Sequence, residues 1–75
     1  MKEQLMKLLL EENAAAWDGN NWVEAEEDNM TGLWIDYLVN YHGGPRFQVY
    51  DNDYECIEYF WEIDELFDFI NDYIK

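Results

Sequence analysis

Cys56 and His42 are the only thiol and the only imidazole in this chain, and carboxylates supply most of its other reactive groups. Ser is absent and Thr31 is the sole Thr, so nucleophilic chemistry falls to Cys56 activated by His42. His42 adjoins the flexible pair Gly43-Gly44, while Cys56 lies between Glu55 and Glu58, whose charge disfavours a thiolate. Cys56 therefore reads as a small core or strand residue. Carboxylate pairs for acid–base work are plentiful, but 75 residues leave little room for a pocket of about 300 Å³. The expectation is a non-enzyme that needs no cofactor.

Metal chemistry is weighed on spacing. One His and one Cys cannot make a structural zinc site. Asp51, Asp53, Glu55 and Glu62 fall at the first, third, fifth and twelfth positions of a calcium-loop pattern. The sixth position, which needs Gly for a sharp turn, is Cys56, and the normally apolar eighth is Glu58. Residues 51–62 read instead as a hairpin tip leading into an acidic strand. No metal site is expected.

The carboxylates themselves are the strongest signal. Asp and Glu number 18 against 4 Lys and Arg, a net charge of -14. A small domain needs a magnitude of only about 2–8 for solubility. A chain this long should have a radius of gyration near ~11 Å and a diameter of about 29 Å. Fourteen charges across that width approach the one charge per ~1.7 Å of duplex DNA. Like charges held so close oppose folding, so their retention suggests use, with a salty habitat as the plain rival. Lys2, Lys7, Arg46 and Lys75 are scattered, so direct binding to nucleic acid or an anionic membrane is disfavoured. Partners should be basic.

Acidic tails are usually disordered, but this composition is 49% hydrophobic and 19% aromatic, enough to bury a core. The length suits a single domain over residues 1–75. The run Leu8 to Leu10 is too short for a secretory or membrane segment, and a lone thiol favours a cytoplasmic setting. Residues 2–16 hold strong helix formers, with Leu5, Met6, Leu9, Leu10 and Asn13 on one face and Trp17 extending it. Asp18-Gly19-Asn20 should stop that helix.

Residues 21–27 form a weak strand candidate, and Asp28-Asn29 with Gly32 mark a reversal. Over residues 33–41, Leu33, Ile35, Tyr37, Val39 and Tyr41 alternate with Trp34, Asp36, Leu38 and Asn40. His42-Gly43-Gly44-Pro45 is a hairpin connection, followed by strands at 46–50 and 54–61 around a turn at 51–53. A last helix over 63–74 carries Ile63, Leu66, Phe67, Ile70 and Ile74 on one side. Asp64, Glu65 and Lys75 complement its dipole. The expected fold is α+β: an N-terminal helix, an antiparallel meander of three to four strands, and a C-terminal helix. Leu33, Ile35, Tyr37, Val39, Phe47, Ile57, Leu66, Phe67 and Ile70 are the expected core.

Size, acidity and this element order resemble the small acidic inhibitors made by phages and mobile elements, notably anti-CRISPR proteins. One such family, which occupies the DNA-binding cleft of a CRISPR nuclease, has a similar α-β-β-β-α order. Inhibitors of restriction enzymes and of uracil-DNA glycosylase share the acidity. The likeness rests on no motif, so no family residue transfers to a position here. It implies a nucleic-acid mimic acting in the cytoplasm of a bacterial host against a basic defence enzyme. From the residues themselves, Asp51, Asp53, Glu55 and Glu58 beside Tyr54 are the preferred partner contacts, with Glu24, Glu26, Asp36 and Trp34 as further candidates. The alternative is a small interaction or assembly module, homodimeric through Trp34 and Leu38.

Overall fold

Asn13 has φ 60°, the left-handed conformation that Asn tolerates and that ends a helix. In the computed structural model, which describes residues 2–26, 32–40 and 42–74, the first helix α1 therefore covers only Lys2–Glu12. The three alanines beyond it are strand β1, Ala14–Trp17, and not the end of the helix. Alanine's helix propensity is outweighed here by packing. Ala15 is fully buried in the same cluster as Leu5 and Leu9, and a side chain this small lets α1 lie close to the sheet.

Asp18-Gly19-Asn20 closes a hairpin rather than a helix. The Asp18 Oδ1 accepts from the backbone N–H of Asn20 at 2.8 Å and of Asn21 at 2.7 Å. The chain then returns as β2, Trp22–Val23, shorter than the expected strand over 21–27. Glu24 and Glu26 follow it outside any strand, and Asp28-Asn29 lie outside the described residues.

Strands β3 (Trp34–Leu38), β4 (Arg46–Tyr50) and β5 (Cys56–Phe60) form the expected antiparallel meander. Gly43 and Gly44 turn β3 into β4 at φ 95° and 112°, angles that a Cβ would strain. The sheet has five strands in the order β2-β1-β3-β4-β5, all neighbours antiparallel. Because β1 lies between β2 and β3, the connection from β2 to β3 must bypass it. The fold is α+β, with one strand more than the sequence suggests.

The C-terminal helix α2 is Ile63–Ile74, with Leu66, Phe67 and Ile70 buried. Lys75 lies outside the described residues. One core joins Leu5 and Leu9 of α1, Leu66, Phe67 and Ile70 of α2, and Ile35, Phe47 and Val49 of the sheet. Registered pairs share a face, so Ile35–Val49 and Tyr37–Phe47 form the helix-covered side, the latter rings stacked 4.6 Å apart. Tyr37 is half-buried rather than buried.

Two expected core residues fail. Val39 falls in the turn after β3 and is 45% exposed, and Ile57 on the outermost strand is 38% exposed. Tyr41 lies outside the described residues. The accessible surface, 4916 Å², matches the roughly 4,900 Å² expected of a folded 9.1 kDa chain.

Candidate functional site

The face of the sheet opposite the helices is built from rows of registered residues. Ala16, Trp34 and Tyr50 make one row, Ala14, Asp36, Gln48 and Tyr59 the next, and Leu38 and Arg46 a third. Side chains two apart on one strand lie on the same face, so they can bond along it. The Arg46 guanidinium donates to Gln48 Oε1, from Nε at 3.0 Å and also from Nη2. Gln48 Nε2 donates to the Tyr50 hydroxyl at 2.6 Å, and the Trp34 Nε1–H donates to Asp36 Oδ1 at 2.8 Å.

Aromatic rings close over this polar layer. Tyr54, held at φ 64° after the turn, sets its ring 5.2 Å from that of Trp34 and 6.2 Å from that of Tyr50. Trp34 is consequently only 9% exposed, so it is not the open anchor the alternation suggests. The half-exposed ring on this end of the face is Tyr54. Burial, with the Asp36 carboxylate and Cys56 adding to it, pushes the Tyr50 hydroxyl above its ordinary pKa.

The hairpin tip departs from the spaced comb that strand geometry predicts. Asp51 Oδ1 accepts from the N–H of Asp53 at 2.9 Å and of Glu55 at 3.1 Å, so Asp51 fastens the turn and is half-buried. Asp53 and Glu55 project from it, exposed. Glu58 is exposed on β5, in register with Val49 and so on the helix-covered side of the sheet. The segment 51–62 is thus a turn and a paired strand, not an ion-binding loop between helices. Cys56 is in a strand but exposed, with its Sγ 3.7 Å from the Glu58 carbonyl to which it donates.

The candidates do not form one cluster. Asp36, Trp34 and Tyr54 meet on the face opposite the helices, and Asp51, Asp53 and Glu55 share the tip. Glu24 and Glu26 follow β2, at the opposite edge of the sheet from β5. Four strand spacings put about 19 Å between those edges. Charge is instead spread round the molecule. Every described carboxylate except Asp36 and Asp51 is exposed, and those two are half-buried.

One acidic element lies outside the expected contacts, although Asp64 and Glu65 are expected in the first turn of the last helix. On α2, Asp64, Asp68 and Asp72 recur every four residues with Glu65 beside them, all exposed. From Asp64 to Asp72 the four carboxylates span ~12 Å of helix, about 4 Å apart on average, against the 3.4 Å phosphate rise of a single DNA strand. The i, i+4 spacing was the available signal.

Open grooves reach about 180, 660 and 290 Å³, so size alone does not exclude ligands. Their linings are mainly apolar, for example Met6, Leu9, Tyr37, Phe47 and Trp61 around the 290 Å³ groove. No group of three potential metal ligands converges among the described residues, and no described helix is long and apolar enough to cross a membrane. Comparison with protein-family models, with curated proteins and with solved structures finds no match.

Proposed function

We propose that this protein is an acidic inhibitor, not an enzyme, that occupies a basic nucleic-acid-binding groove of a partner. A bacterial defence enzyme such as a CRISPR effector is the target class suggested by its size and acidity. The observation that carries this reading is charge density. A net charge of -14 sits on a body with extents of 32 × 24 × 23 Å, about one charge per 2.3 Å of its long axis. Duplex DNA carries one per ~1.7 Å. A groove built to attract phosphates will attract this surface at long range and hold it by the same Lys and Arg side chains. Of the alternative, an interaction or assembly module, only the homodimeric form joined through Trp34 and Leu38 is weakened, because Tyr54 packs on Trp34 and little of that indole is exposed.

Charge reversal tests which carboxylates act. Asp51 is unsuitable, because its reversal would remove the bonds that fasten the turn. Lys at Asp53 and Glu55, or at Asp64 and Asp68, changes the charge by four in one exposed patch. One of these double variants should reduce displacement of labelled nucleic acid from the target at least tenfold more than Lys at Glu11 and Glu12. Equal loss from all three would mean that total charge, rather than a defined contact face, drives binding.

A further inference from the structure

The two edges of the sheet are treated differently. At one edge, β2 is only two residues long, and its Trp22 N–H already donates to Gln4 Oε1 of α1 at 2.8 Å. At the other, β5 runs for five residues, and among the described residues no strand pairs beyond it. Cys56 to Tyr59 are all exposed, and Tyr59 and Trp61 each show nearly half of their surface. A long, aromatic free edge is a template for another strand, and proteins ordinarily guard such edges.

Besides the charges of Glu55, Glu58 and Glu62, a local bond guards this edge. The Tyr59 N–H donates to Glu58 Oε1 at 3.2 Å, where a neighbouring strand's carbonyl would otherwise sit. We propose that the β5 edge is a docking edge for an extended, arginine-bearing segment of a protein partner, which adds to the sheet as a sixth strand. The incoming carbonyl takes over the Tyr59 N–H, and the released Glu58 carboxylate pairs with an Arg of the added strand. Charge selects this occupant. A second copy of the chain would bring another -14 and set Glu55, Glu58 and Glu62 against like charges, whereas a cationic strand neutralises them. The rings beside the edge also suit guanidinium. Tyr59 and Trp61, 6.1 Å apart and edge-on, already receive the chain's own Arg46 at 4.7 and 5.9 Å from their centroids.

This inference rests on the reading of a basic partner, but it adds a mode of binding that can fail separately. The probe is a capped octapeptide of alternating Arg and Val, titrated into the full chain at 0.15 M salt, with amide NMR as the readout. A control peptide is N-methylated at alternate amides, which keeps every charge but blocks strand pairing. The unmodified peptide should shift the Tyr59 amide and slow its exchange, and the methylated one should bind about tenfold more weakly. Glu58→Gln should weaken the unmodified peptide several-fold while the Tyr59 amide still responds. Equal affinity for both peptides, or a silent Tyr59 amide, would overturn strand addition. So would protection of that amide that grows with protein concentration and no peptide, which would identify a second copy as the occupant. Displacement of nucleic acid from a target without peptide binding would remove this inference and leave the inhibitor reading standing. Peptide docking without such displacement would do the reverse.

Discussion

Asp18 shows how single side chains hold this fold's connections. Its carboxylate accepts the N–H groups of Asn21 and Asn20, and these bonds hold its pKa below the ordinary value of an Asp. A lowered carboxylate pKa adds stability that is fully present above the unfolded value, near ~3.9, and is lost as pH falls through the folded value. Asp18→Asn should therefore melt below the natural protein at pH 6, and the gap should close as pH approaches 2. A gap that persists in acid would mean that the turn depends on something other than the charged carboxylate.

At the scale of elements, Asn13 decides where α1 becomes β1. Ala at this position would be strained at φ 60° and would favour continued helix, so Asn13→Ala should cost about 1 kcal/mol. Asn13→Gly should cost no more than a few tenths by the same reasoning. Denaturant unfolding of both variants measures the difference, and equal losses would contradict the left-handed cap. This junction also marks where the sequence misleads. The run Ala14-Ala15-Ala16 has the propensity of a helix, but as a strand paired with β3 it sets Ala15 in the cluster of Leu5 and Leu9, which local patterning does not reveal.

The last helix was legible to the residue, because Ile63, Leu66, Phe67, Ile70 and Ile74 repeat with a strong helical period. Strand β3 was legible from alternation and β4 from the turns on either side of it, but the outer limit of β3 was not, since Val39 keeps the period after the strand has ended. Of the candidate site, the exposed tip carboxylates Asp53 and Glu55 could be read from the turn sequence Asp51-Asn52-Asp53. The capping of Trp34 by Tyr54 could not, because it depends on a positive φ at Tyr54 and on a bulge between β4 and β5.

For the whole molecule, self-repulsion is the physical cost of so acidic a surface. Salt screens exposed charges over a Debye length of ~10 Å at 0.1 M, so the melting temperature of the free protein should rise from low to moderate ionic strength. A flat or falling profile would mean that local pairing already neutralises the field. Under the proposed function, binding to a basic groove should respond in the opposite sense, since nucleic acid and a mimic of it rely on the same cations. These opposed salt dependences separate a mimic from a module that docks through apolar surface.

The most direct test of the proposal is competition for labelled DNA or RNA across a panel of CRISPR effectors and restriction enzymes, at several salt concentrations. At least one enzyme should release its nucleic acid as this protein binds, with an affinity that falls steeply as salt rises. An enzyme that binds this protein and its nucleic acid together, each at unchanged affinity, would contradict it.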